Sequence, residues 1–296
     1  MNQTERRAYY EERIKNLVNL PTLPIIATEI IRISREDRLS INQMLPIIEK
    51  DPPLAMKVLK FANSPYYGLT EKVQSLRHAI VIIGLTQLTE LATAFTIIRA
   101  FESDDESLPW RQFWEHSSAT GFMAQLIAEE LGITTMENIY SIGLLHDIGK
   151  LILYRVDPRN YREAYLLSAK KQIAGFMAEE EIFGFNHAEA GYWISEQWDL
   201  PQSLRTGIQY HHYLDAIPDT HLNTLVAIIN LADAFVNFRI ARFGTRVMPL
   251  NAEQLEGWRV LRQHYPNKDW PDFDLFSERI REKSPVINEM VRLMQG

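Results

Sequence analysis

The chain has no cysteine among its 296 residues. That excludes disulfides, thiolate nucleophiles and Cys-ligated zinc or iron–sulfur centres, so any metal must be held by His, Asp or Glu. Glycine is scarce as well: 13 residues, where ordinary usage would give roughly twenty in a chain of this size. Alternating apolar and polar runs are missing, and the apolar residues recur at three- and four-residue spacing, which predicts an all-α fold. No uncharged stretch of ~18 residues is present to span a bilayer, and the opening "MNQTERRAYYEERIKNL" has no signal-peptide apolar core. The expectation is a cytoplasmic protein with no membrane partner. An excess of positive charge is also lacking. The net charge of -7 gives no general attraction to phosphate backbones and argues against a nucleic-acid partner.

What is present is ample apolar material, 46% of the residues, enough for a real core in one large or two ordinary domains. The first hundred residues read as punctuated helices. Ser40 can cap "INQMLPIIEK", Asp51 followed by Pro52 starts "PLAMKVLKFA", and Ser75 opens "LRHAIVIIG", which stops at Gly84. Thr86 then starts "QLTELATAFTIIRAF". Leu54, Val58, Leu59 and Ala62 form one buried stripe. The short helix pair around Asp51 has the outline of a helix-turn-helix, but its second helix offers only Lys57 and Lys60 to a phosphate backbone. A packed helical subdomain is the better reading.

The sharpest change of composition is "FESDDESLP" at 101–109, where acids, serines and a proline separate two apolar-periodic regions. It divides the chain into an N-terminal helical subdomain (1–105), a second helical subdomain (106–243) and a C-terminal helical extension (244–296). Helices are predicted in the second subdomain over about 109–131, 137–154, 161–182, 187–198, 201–213 and 221–240.

Six of the eight histidines fall in that second subdomain, and five of them are candidate ligands: His116, His146, His187, His211 and His212. His116 shares a helical face with Phe113, Thr120, Met123 and Ile127, and His146 shares one with Ile139, Ile142 and Gly149, so both point inward. Asp233 shares a face with Leu225, Ile229 and Val236, where a carboxylate costs several kcal/mol unless paired or metal-bound. Taken singly, each histidine is compatible with a hydrogen-bonded core residue, and a His-His pair at a helix end with the surface. As a set spread over separate helices, His116, His146, Asp147, His187, His211, His212 and Asp233 match an interior metal site of a helical bundle. Six or seven nitrogen and oxygen ligands suit two metals rather than one.

The order His116, His146-Asp147, Asp233 resembles the HD superfamily of metal-dependent phosphohydrolases. The interposed His187 and His211-His212 resemble its two-metal HD-GYP branch. The stretches "EKDPPLAMKVLKFANSPYYG", "SLRHAIVIIGL", "FWEHS" and "FGFNHAEAGYWISEQWDLP" resemble the HDOD family, and the likeness runs over roughly 18–240. It implies two packed helical subdomains, the second HD-like, in a bacterial signal-transduction module that is non-catalytic or uncharacterised. The expected cofactor is a pair of divalent transition-metal ions; iron, manganese, zinc and nickel all suit imidazole and carboxylate ligands. If the site is catalytic, the resemblance implies that Asp147 bridges the ions and Lys150 steadies a phosphate oxygen.

The sequence departs from HD-GYP after the double histidine, where "YHHYLDAIPDTH" has no Gly-Tyr-Pro. Position 112 is Gln rather than a carboxylate that would support a third ion. The expected partners are a signalling protein and a nucleotide or phosphate ligand. Tyr66 and Tyr67, in "NSPYYGL", are candidates for a protein-docking groove between the subdomains, or for packing at their junction.

Overall fold

The computed structural model describes residues 3–16, 25–34, 39–101, 110–134, 139–218, 220–239 and 252–295, and these are helical with no strand among them. The acidic boundary at 102–109 lies outside the described residues. So does 244–251 of the proposed extension.

The N-terminal subdomain contains α2 (Ile25–Ser34), α3 (Ile41–Glu49), α4 (Pro52–Ala62), α5 (Leu76–Ile83) and α6 (Leu85–Phe101), with a 3-10 turn at Pro65–Tyr67. Its predicted caps are in place. Ser40 and Gln43 form a capping box on α3, the Asp51 carboxylate accepts from the Leu54 N–H, and the Ser75 hydroxyl accepts from the His78 N–H. Asp51 also takes a forked pair of bonds from Arg99 at 2.7 and 2.5 Å, which ties the start of α4 to the end of α6. Asn63 holds the loop after α4 by exchanging two hydrogen bonds with the backbone of Val73, at 2.9 and 2.8 Å. Tyr67 packs edge-on against Phe61 and reaches Gln87 with its hydroxyl, while Phe61 stacks across the junction on Phe122. No single described helix is long and apolar enough to cross a membrane; α5 and the first part of α6 pass together, but they bend by 110° at Gly84.

The second subdomain is built on α7 (Trp110–Glu130), followed by α8 (Ile139–Leu145), α9 (Ile148–Val156), α10 (Pro158–Lys171), α11 (Gly175–Phe183), α12 (His187–Gln197), α13 (Gln202–Tyr210) and α14 (Thr220–Arg239). Helices α8 and α14 pack along α7. In the C-terminal region α15 (Glu256–His264) lies on α14, and α16 (Phe273–Gln295) lies on both α7 and α4. The first helix, α1 (Gln3–Lys15), packs on α12, α11 and α9, so the beginning of the chain rests on its second half.

Two predicted helices are each broken in two. The segment expected at 161–182 turns at Gln172, whose φ of 55° is left-handed, with the Ile173 N–H closing on the Ser168 carbonyl. The segment expected at 137–154 breaks at His146-Asp147. There His146 Nδ1 bonds the Gly143 carbonyl at 2.7 Å, the oxygen that a continuing helix would have given to the Asp147 N–H. His146 therefore stands at a helix end rather than on a continuous face with Gly149.

Glycine lets the helices around this break meet backbone to backbone. A Cβ on Gly143 would lie 2.6 Å from Gly121 Cα, and a Cβ on Gly149 would lie 1.8 Å from the His187 carbonyl oxygen. The second contact sets the start of α9 directly against the start of α12.

Candidate metal centre

All seven predicted ligands converge. His116 comes from α7, His146 and Asp147 from the α8–α9 break, His187 from the first turn of α12, His211 and His212 from the end of α13, and Asp233 from α14. His146, His187 and His211 are fully buried and Asp147 nearly so. His211 is fully buried and His212 partly so, so the pair does not lie open at the surface.

Asp147 is the shared member. It occupies the N-cap position of α9, but its side chain makes no cap bond and is turned into the site. Its Oδ2 faces His116 Nε2 at 3.5 Å and His146 Nε2 at 3.4 Å; its Oδ1 faces His187 Nε2 at 3.0 Å and His211 Nε2 at 3.7 Å. Asp233 completes the first set, with Oδ1 3.0 Å from His116 Nε2 and 3.6 Å from His146 Nε2. His212 joins the second, its Nε2 3.0 Å from that of His187. Two groups result, His116-His146-Asp147 and Asp147-His187-His211-His212, and within each the ligand atoms lie within 4.8 Å of one another.

The donor chemistry fits a cation. His146 Nδ1 is engaged by the Gly143 carbonyl, His211 Nδ1 by the Ile208 carbonyl at 2.8 Å, and His187 Nδ1 by Glu179 at 2.6 Å. These partners assign the Nδ1 protons and leave the Nε2 lone pairs facing inward. His187 Nε2 then stands 3.2 Å from that of His211 and 3.0 Å from that of His212. One proton can bridge a single pair of such nitrogens, whereas a metal ion serves all three. Meanwhile His146 Nε2 and Asp147 Oδ1 are buried with no hydrogen-bond partner, a costly arrangement unless a cation meets them.

The charges agree. Burial alone would raise the Asp147 and Asp233 carboxyls, yet the neighbouring histidines, with Lys150 beside Asp147, hold both well below the usual carboxylate range. Burial and the adjacent histidines drive His211 down to about 3, and burial likewise holds His212 well below its usual value. His187 differs: burial opposes its charge, but Glu179 and Asp147 outweigh it and raise the imidazole to about 9.

Lys150 Nζ lies 2.5 Å from Asp147 Oδ2, one turn into α9. It lines a cavity of about 690 Å³ over the cluster, walled by Tyr154, Tyr161, Arg162, Tyr165 and Phe176.

The sequence reading passed over two residues. Buried Glu179 accepts both the backbone N–H and Nδ1 of His187 on one oxygen, at 2.8 and 2.6 Å. It sits in the run "AEEEIF", which reads as a solvated acidic face. Asn230 donates to the His211 carbonyl at 2.8 Å and accepts from the Gly257 N–H at 3.0 Å. Its one signal was an amide in the otherwise apolar "LVAIINLADAFV".

Comparison with known proteins agrees with this architecture. A protein of unknown function with an HDOD domain from Geobacter sulfurreducens is 27% identical, with a TM-score of 0.80 over 97% of this chain and 98% of its own. A candidate phosphohydrolase from Shewanella amazonensis SB2B shares the fold at 21% identity, with a TM-score of 0.71 over 96% and 97% of the two chains. An uncharacterised protein from Treponema pallidum (strain Nichols) is 25% identical over 222 residues, 74% of this chain; the match spans only 43% of that relative's length. The HDOD domain model matches residues 20–214, from α2 through the double histidine, and takes in all of the second ligand set but not Asp233 of the first. A helical chain with this span and these motifs belongs to the HDOD domain family.

Proposed function

We propose that this chain is a bacterial signal-transduction HDOD module whose HD-like half carries a two-ion transition-metal centre and whose output is the binding of a protein partner. The observation that carries the metal reading is Asp147, whose two carboxylate oxygens each face a different histidine set. His116, His146 and Asp233 would hold one ion and His187, His211 and His212 the other, with Asp147 between them. The family match supports the signalling role. The junction around 63–69, where Tyr67 packs on Phe61, is the proposed docking region. Elemental analysis of protein purified without chelator tests the centre. About two ions of iron, manganese, zinc or nickel per chain are expected. Less than about a tenth of an equivalent after reconstitution would return the histidines to the status of core residues.

A second reading, a working phosphodiesterase or phosphohydrolase, is favoured by the cavity over the cluster with Lys150 and Arg162 on its walls. Bound ions would supply Lewis acidity and an activated water. Lys150 would orient a phosphate oxygen, and the aromatic wall would exclude bulk water. Turnover of a generic phosphodiester by the metal-loaded protein separates the two readings. Cyclic di-GMP hydrolysis is expected to be absent or very slow, because the sequence after His212 has no Gly-Tyr-Pro segment to orient a dinucleotide.

A further inference from the structure

The contacts of α1 are concentrated on the α11–α12 turn, which leads into His187, and on the α9–α10 junction. The Arg6 guanidinium donates to the carbonyls of Glu181 and Ile182, at 3.2 and 2.7 Å, in the last turn of α11. Arg7 pairs with Glu189 in the first turn of α12 and lies over the Trp193 ring at 5.6 Å. Tyr10 packs edge-on against Phe183 and close to Phe185, the aromatic residues flanking Gly184 in the α11–α12 turn. Its hydroxyl donates to Asp157 at 2.8 Å and accepts from Asn160, at the junction of α9 and α10. Each contact is suited to its place, since a cation stabilises the carbonyl end of a helix and Arg7 answers the acid that starts α12.

The turn so gripped separates Glu179 from His187. These two residues are linked by the paired hydrogen bonds that aim His187 Nε2 into the site. The aim of His187 therefore depends on the angle between α11 and α12, and α1 bears on both sides of that angle. The seat of α1 itself is small: Tyr10 and Ile14 are its buried apolar side chains, and the remainder of "QTERRAYYEERIK" is polar or solvent-facing. A helix held by so few apolar contacts can leave its seat without unfolding the domain.

We propose that α1 is a clasp that positions the His187 half of the metal centre, with Arg6 and Arg7 acting as positioning residues through the α11–α12 turn. The inference rests on the two-ion reading for its metal consequence, though not for its structural one. Release of α1 loosens the Glu179–His187 pair and weakens the ion held by His187, His211 and His212, while the His116, His146 and Asp233 half keeps its ion.

The test is an Arg6→Ala/Arg7→Ala variant of the full chain, which leaves Tyr10 and Ile14 in place so that α1 keeps its seat. Arg13→Ala is the control, because among the described residues Arg13 bonds to Tyr9 of its own helix and reaches neither α11 nor α12. In the metal-free proteins, amides of residues 179–190 are expected to exchange with deuterium about tenfold faster in the double variant, with α7 unchanged. In a zinc titration, one of the two binding steps is expected to weaken about tenfold and the other to stay at the wild-type value. Restoring Arg6 as Lys, which returns a cation to the end of α11, should recover part of both effects. Unchanged exchange at 179–190, or equal acceleration in every helix, would overturn the clasp. If wild-type protein takes up no metal, the two-ion reading fails and the exchange measurement alone decides the clasp.

Discussion

Two aspartates stand just before a helix in the two halves of this chain, and they are used in opposite ways. Asp51 caps α4, and both its oxygens are satisfied, by the Leu54 N–H and the fork of Arg99. Asp147 holds the same position before α9 but forgoes the cap. It spends its carboxylate on four imidazoles and a lysine, and one oxygen is left without a hydrogen bond. A fully partnered buried carboxylate is a fastener, and one left partly unpartnered among lone pairs is a receptor for a cation.

The strongest way to break this comparison is to remove each carboxylate in turn. Asp147→Ala should abolish most metal uptake, from about two ions per chain to well under one, because both ligand sets lose their shared member. Asp51→Ala should leave metal content unchanged. Elemental analysis of both variants checks the pair, and equal metal loss in the two would erase the distinction.

Next in size is Glu179→Gln, which removes the charged acceptor behind His187. Metal affinity of the second set should fall about 10- to 100-fold, as expected when a histidine ligand loses its orienting carboxylate. Isothermal titration with zinc would show it, and wild-type affinity would mean that α12 alone aims the imidazole.

Smaller again is the stability effect at Asp51. Losing the cap and the Arg99 pair should cost about 1–3 kcal/mol in urea unfolding. The Arg99 bonds hold the Asp51 carboxyl below its usual range despite the opposing effect of burial. Its contribution is therefore complete above the unfolded value, about 3.9, and is lost as the pH falls through the lower folded value. The wild type should lose this increment in acid, and Asp51→Asn should show a flatter acid limb. Identical acid limbs would remove the electrostatic part of the argument. The smallest effect is expected at Lys171, whose pair with Glu181 is half exposed on both sides. Lys171→Ala should shift stability by less than about 1 kcal/mol and leave metal content alone.

The contrast also explains what the sequence could show. Asp51, Ser40 and Ser75 were legible because capping is local: a short polar side chain followed by an apolar run carries the whole signal. The candidate ligand cluster was legible because His and Asp are conspicuous on apolar faces. The break at His146-Asp147 was not, since the apolar periodicity of α8 runs on into α9 and the interruption comes from a ring nitrogen taking one carbonyl. Glu179 was hidden for a related reason. Its neighbours Glu180 and Glu181 serve other contacts, with Asn186 and Lys171, and only the fold distinguishes the buried member of the run. The seat of α1 on α11 and α12 joins residues more than 170 positions apart, as in Arg6 to Glu181, beyond the reach of any local pattern.

Asn230 carries a last consequence, for how this unit can be exchanged between proteins. Its amide ties the carbonyl of His211 to the first turn of α15, and it shares α14 with Asp233. Both residues fall after position 214, where the family match ends, and α1 falls before position 20, where it begins. A fusion that transplanted only the matched stretch would carry the five candidate ligand histidines and leave behind Asp233, the brace on His211 and the helix lying against the His187 turn. The portable piece is the longer one, from α1 through α15, and a graft should be cut outside those helices.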